Sequence, residues 1–135
     1  SIAGMFPLPY MPLYNAAKAG LSSFSVSLAL EYKAVPFVTD FRLGDFRTNF
    51  NKSVSNGTTV QPGSSQERAW TQIEKQLVSS PDPIVAARDL RRVLRRRQGG
   101  VVYSGGLFQA RVAPLLFRLA PTWVVHALLR NRYKL

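Results

Sequence analysis

Pro12-Leu13-Tyr14-Asn15-Ala16-Ala17-Lys18-Ala19-Gly20-Leu21 opens the longest helical pattern in the chain, which runs from Leu13 to Lys33. Pro12 suits the first turn of a helix, where a missing N–H costs nothing. Tyr14 and Lys18 are four apart, so a helix places them on one face. The small residues Ala16, Ala17, Ala19 and Gly20 allow a neighbouring helix or a ligand to approach closely. Apolar residues are spread widely around this helix (Leu21, Phe24, Val26, Leu28, Leu30). Such a helix is expected to be covered on several sides, by a sheet on one and a partner subunit on another.

Working back from Tyr14, Pro7, Pro9 and Pro12 exclude a regular helix or a central strand, so Ser1 to Met11 reads as a strand end running into a loop. Ser1 stands thirteen positions before Tyr14. A hydroxyl, a phenol and an ammonium gathered at one spot suit proton transfer to a carbonyl oxygen. A free phenol has a pKa of about 10 and is a poor acid at neutral pH. An ammonium within about 4–6 Å stabilises the phenolate and lowers that value. A serine hydroxyl opposite it donates to the carbonyl oxygen or to the alkoxide that develops there. The expected roles are Tyr14 as general acid–base, Lys18 as its activator and Ser1 as the group that orients the substrate. Tyr-x-x-x-Lys by itself is a weak signal, and taken alone it reads first as an ordinary helix edge.

Working forward, Val35 to Phe41 is a short β-type run, and Leu43-Gly44-Asp45 turns the chain. Asn51 to Ser65 is a loop by composition. Gln66 to Val78 and Ile84 to Arg97 read as helices separated by Pro81-Asp82-Pro83, and Gly99 to Tyr103 as a turn entering a last strand. Leu107 to Leu119 and Pro121 to Arg130 read as two apolar helices divided at Ala120-Pro121. The alternation of helix and strand predicts an α/β fold with a parallel sheet. Two strands are too few to cover these helices, so part of the sheet is expected to come from sequence outside this stretch.

The 135 residues suffice for one domain, and 46% hydrophobic with 19% charged residues is a globular composition. There is no cysteine and a single histidine, His126, so thiolate chemistry and a histidine-rich metal site are excluded and no metal is expected. A net charge of +11, with thirteen Arg among eighteen basic residues, favours anionic partners. The chain opens on Ser1 without a visible leader and reads as a piece of a longer polypeptide.

The pattern resembles the short-chain dehydrogenase/reductase family. The likeness rests on Ser1-Ile2-Ala3-Gly4, on Pro12 to Leu21, on Ser27-Leu28-Ala29-Leu30-Glu31, and on Leu43-Gly44 with Thr48. The resemblance covers Ser1 to Thr48 closely and Asn49 to Leu135 only in layout. It implies the C-terminal half of a Rossmann-like, doubly wound parallel sheet with a helical C-terminal extension. The parts would be a catalytic half (1–48), a variable substrate-binding region (49–80), a last helix and strand (81–104) and an apolar helical tail (105–135).

The activity implied is oxidoreductase: hydride transfer between NAD or NADP and a carbonyl or alcohol, with Ser1, Tyr14 and Lys18 catalytic. Tyr14, Lys18, Gly44 and Thr48 would also bind the cofactor, Lys18 at the nicotinamide ribose, Gly44 by close backbone approach and Thr48 at the nicotinamide or phosphate end. The helix after Leu13 would belong to the family's homodimer interface. Leu43 departs from the family's usual Pro. The family's Gly-rich dinucleotide turn does not occur, since Gly99-Gly100 and Gly105-Gly106 do not open a helix in that context. The chain alone is therefore expected to bind the dinucleotide poorly and to be inactive. The alternative is a non-catalytic remnant, or a binding module that uses its basic face.

Two further features carry readings of their own. Arg88, Arg91, Arg92, Arg95 and Arg96 fall on one helical stripe, with Arg97 beside it. They read as a solvated face or as a contact for an anionic membrane or partner; no recognition motif or stacking array accompanies them to favour nucleic acid. The tail is interrupted by Arg111, Pro114, Arg118 and Pro121, so it is not a transmembrane span. It reads as packing on the domain, as a lid over a hydrophobic substrate, or as an interfacial anchor with Trp123 at headgroup level. His126 reads as a surface or lid residue. A cytoplasmic site, or a peripheral one on an intracellular membrane, is compatible with all of this.

Overall fold

Helix α1 (Pro12–Glu31) begins where Pro12 can occupy the first turn, and no side chain caps its N-terminus. Its entry is fixed by Asn15. The Asn15 Oδ1 accepts from the Leu8 N–H at 3.0 Å, and its Nδ2 donates to the Leu8 carbonyl at 2.8 Å. One amide thus pins the proline-rich loop to the first turn of the helix. In this computed structural model, residues 1–32, 35–49 and 60–135 are described. The expected loop 51–65 lies mostly outside them, as does the last position of the expected helix, Lys33.

Before α1, residues Ile2–Gly4 form one 3₁₀ turn capped by Ser1, whose Oγ accepts from the Ala3 N–H at 3.1 Å. Gly4 is what lets this turn lie against α1. A Cβ there would stand 3.0 Å from the Lys18 carbonyl carbon and 3.0 Å from the Ala19 nitrogen.

Strand β1 (Thr39–Leu43) starts four residues later than the apolar run suggested. Its polar residues hid it. Asp40 and Arg42 share one face and neutralise each other, Arg42 Nε donating to Asp40 Oδ2 at 2.8 Å with both side chains largely buried. Arg42 also donates to the Tyr103 hydroxyl at 3.3 Å, which in turn donates to Met5 Sδ at 3.2 Å. β1 pairs in parallel with β2 (Gly100–Ser104), Leu43 opposite Ser104. Parallel neighbours require a crossover. It is supplied by α2 (Ser65–Val78) and α3 (Ile84–Arg95).

α2 is capped by Ser64, whose Oγ accepts from the Glu67 N–H at 3.1 Å, while Glu67 Oε2 accepts from the N–H of Gly63 before it at 2.6 Å. α3 buries Val93 and turns Arg88, Arg91, Arg92, Arg95 and Arg96 to solvent. It is tied to β2 by Asp89, whose Oδ2 accepts from the fully buried Ser104 hydroxyl at 2.8 Å.

The tail is helical, with a local widening. Phe108–Val112 is a π turn leading into α4 (Ala113–Leu119), and α5 (Thr122–Tyr133) follows after Pro121. Pro114 has no N–H to offer the carbonyl four residues back, which accounts for irregular winding at that point. Ala69, Ile73 and Tyr133 form the core, with Leu8, Trp70, Leu77 and Leu129 around them, so it lies between α2, α5 and the loop before α1.

The chain is therefore mixed α/β, 60% helical, with a two-stranded parallel sheet. The expectation that α1 is covered on several sides is not met among the described residues. α1 meets the 3₁₀ turn and β1, no residue of it is buried, and Leu13, Phe24 and Leu30 stand well out in solvent.

Candidate functional site

The parallel register brings the carboxyl ends of β1 and β2 to the same edge of the sheet. In open α/β sheets this is the edge where ligands bind. A cleft of about 660 Å³ lies there, a size in the range of small-molecule sites. Ser1, Tyr14, Lys18, Gly44 and Thr48 all line it. The five residues singled out in the sequence are thus brought together by three separate pieces of chain.

Each is positioned for a local reason. The 3₁₀ turn holds Ser1, and the bond its Oγ accepts from Ala3 leaves the hydroxyl's own proton free to be donated elsewhere. α1 sets Tyr14 and Lys18 one turn apart. The Lys18 Nζ lies 5.4 Å from the centre of the Tyr14 ring, within the reach of a cation–π contact. Gly44 follows directly on β1, and its N–H donates to the Ser104 carbonyl at 2.7 Å. Thr48 lies four residues further, exposed at the cleft.

The opposite wall is the tail. Phe108, Ala113, Leu116, Val125, Leu128 and Leu129 line the cleft, so the tail both packs on the domain and walls the site. His126 is exposed and lines a smaller surface depression beside Trp123, away from this cleft.

Sequence reasoning missed the polar floor. Gln109 Oε1 accepts from the Asp45 N–H at 2.8 Å, and its Nε2 donates to Asp45 Oδ2. Arg132 lies 3.9 Å from the same carboxylate and donates to Gln76 Oε1 at 2.7 Å. Gln109 reads in sequence as one polar residue in an apolar tail, and its partner is 64 positions away. The space above Gly44 is filled by this side chain: a Cβ on Gly44 would stand 2.4 Å from Gln109 Oε1. The close approach that Gly44 permits is made here by the protein's own amide.

This arrangement predicts a coupled pair. Gln109→Ala leaves the Asp45 N–H without its partner and should cost about 1–3 kcal/mol. Gly44→Ala should cost a similar amount by displacing Gln109. The double variant should be little worse than either alone, since both changes remove the same contact. Urea unfolding of the four proteins checks this; additive losses would contradict it.

Tyr133 closes the floor from α5, 5% exposed. Burial, the main influence, raises its phenol above the ordinary value of 10.0; Arg132 opposes the rise and Asp45 adds to it. The unfolded chain therefore loses this proton at lower pH than the folded one. Stability is complete below pH 10 on this account and falls as pH rises from there towards the folded value. The urea midpoint should drop more steeply above pH 10 in the parent than in Tyr133→Phe; parallel curves would contradict the assignment.

A nicotinamide cofactor is implied by the family resemblance, and the residues fit one end of it. Lys18, Tyr14 and Thr48 offer an ammonium and two hydroxyls at the cleft, a donor set suited to a ribose and a carboxamide. Gly105-Gly106 joins β2 to the helical tail, but it lacks the G-x-G-x-x-G spacing of a turn that receives a pyrophosphate. No family model matches this chain, and no curated protein or solved structure matches it either.

Proposed function

We propose that the chain carries the catalytic half of an NAD(P)-dependent oxidoreductase of the short-chain dehydrogenase/reductase type, acting on a carbonyl or alcohol. The fold proposed with it is the C-terminal half of a Rossmann-like sheet, of which β1 and β2 would be the last two strands. The observation that carries the reading is the convergence of Ser1, Tyr14, Lys18, Gly44 and Thr48 on one cleft. Ser1, Tyr14 and Lys18 were chosen by residue type and spacing, Gly44 and Thr48 through the family resemblance.

In this reading the substrate carbonyl lies between Ser1 and Tyr14. The Ser1 hydroxyl donates to its oxygen and fixes its orientation. The Tyr14 phenol gives the oxygen its proton as negative charge develops, and takes it back in alcohol oxidation. Lys18, one turn along, places its ammonium beside the ring from which the proton leaves. The hydride itself would be supplied by the nicotinamide when bound, held by Tyr14, Lys18 and Thr48. The apolar wall of Leu116, Val125 and Leu128 excludes water and favours a hydrophobic substrate. The uncovered face of α1, with Leu21, Phe24 and Leu30 exposed, fits a homodimer contact.

The test is fluorescence titration of NADH and NADPH into the protein as its gene encodes it, with the parent and Tyr14→Phe compared. Binding by both, with carbonyl reduction confined to the parent, supports the reading. Absence of binding by both leaves the second reading, a non-catalytic module whose exposed arginines on α3 meet anionic partners.

A further inference from the structure

The outer surface of the tail combines exposed apolar side chains with exposed cations, as α3 also does on a smaller scale with Ile84, Leu90 and Leu94. Val112, Leu115 and Leu119 are all exposed, Leu119 at 72%, and Trp123 follows at 74%. Arg111 and Arg118 stand exposed beside this apolar stripe, and Arg130 and Lys134 continue the basic border along α5. From Leu90 to Leu135 there are ten cations and no acidic residue. α1 also exposes large apolar side chains, but its charges are Lys18, which lines the cleft, and Glu31. Apolar exposure alone is therefore not what distinguishes the tail from α1; the cationic border is.

We propose that this face of α4 and α5 docks on the surface of an anionic lipid bilayer. Leucines 115 and 119 with Val112 would enter the boundary between headgroups and acyl chains. Trp123 has the amphipathic ring that favours headgroup level, and arginines flanking the stripe extend their guanidinium groups to lipid phosphates. No helix among the described residues is long and apolar enough to cross a membrane, so the contact is with one leaflet. The arginines of α3 lie on a separate helix, which Asp89 ties to the tail end of β2 at Ser104, and they add to the attraction. The inner sides of the same two helices wall the cleft, through Leu116, Val125 and Leu128. The proposal does not depend on catalysis.

Vesicle co-sedimentation of the whole chain tests it, with phosphatidylcholine vesicles alone or containing roughly 30 mol % phosphatidylserine, an anionic content that attracts basic segments. The parent is expected to bind the anionic vesicles at least tenfold more tightly than the neutral ones. Leu115→Asp with Leu119→Asp, and separately Arg111→Glu with Arg118→Glu, should each lower that binding at least tenfold. Val78→Asp, at an exposed apolar position on α2, should bind like the parent. A second readout needs no disruptive change: in Trp70→Phe, emission from Trp123 should shift to the blue and be quenched by brominated lipid. Binding to neither vesicle would overturn the proposal. So would anionic binding that survives both tail variants, or that leaves Trp123 unquenched, since these assign the attraction to charge alone. Equal losses in Val78→Asp and the tail variants would overturn it as well.

Discussion

Tyr14→Phe is expected to lower carbonyl reduction by about 10²–10⁴-fold, the usual contribution of a positioned proton donor. Only one oxygen is removed, and the ring that Lys18 approaches at 5.4 Å is kept. The cation–π contact survives in the phenylalanine, so α1 should fold as before; of the three cofactor contacts only the phenol's is lost, and Lys18 and Thr48 should keep most of the nucleotide affinity. The loss should therefore fall on kcat, not on KM, because the missing interaction belongs to the transition state. Ser1→Ala should follow the same split, with about 10²–10³-fold lost if its hydroxyl donates to the developing oxyanion. It should also lose up to about 1 kcal/mol of stability, since the Ala3 N–H loses its cap. Equal kcat in Tyr14→Phe and the parent would remove Tyr14 from the mechanism.

Gly4→Ala should produce the largest loss of stability among the small substitutions. The added methyl would meet main-chain atoms of Lys18 and Ala19 at 3.0 Å, and main chain in the middle of a helix cannot swing aside as a side-chain tip can. Overpacking of this kind costs about 1–3 kcal/mol, which lowers the melting temperature by roughly 5–15 °C. The same change at Gly20 should have the opposite sign. A Cβ there meets nothing, and alanine in a helix interior is favoured over glycine by roughly 0.5–1 kcal/mol. Gly4→Ala should act on catalysis too, because Gly4 is where the turn carrying Ser1 rests on the helix carrying Tyr14 and Lys18. A displacement of about 1 Å between them is enough for a loss of order 10²-fold. Thermal melts and kcat/KM for the two variants check both statements; similar melts for Gly4→Ala and Gly20→Ala would contradict the packing described here.

The helices were legible because their patterns are local. α1 was expected over 13–33 and spans Pro12–Glu31; α3 was expected over 84–97 and spans Ile84–Arg95. The candidate site was legible for the same reason on α1, where a fixed helical repeat relates Tyr14 to Lys18. What stayed hidden depends on partners far away in sequence. β1 was misplaced because Asp40 and Arg42 look unlike strand residues until they are seen to neutralise each other on one face. Gln109 looks like a break in an apolar tail until Asp45 is beside it. Asn15 was read as one of a run of small helix residues, yet it holds both polar groups of the Leu8 backbone. Arg132 counted only as one more surface cation, and it lies at the floor of the cleft between Asp45 and Gln76.

The measurement that bears most directly on the central claim is transfer of deuterium from nicotinamide-labelled NADH or NADPH to a hydrophobic carbonyl substrate. It should be made on the protein as its gene encodes it, beside Tyr14→Phe. The account predicts label on the product's carbinol carbon in the parent, and transfer slowed by about 10²-fold or more in the variant. Nucleotide binding without transfer in either protein, or transfer at the same rate in both, would contradict it.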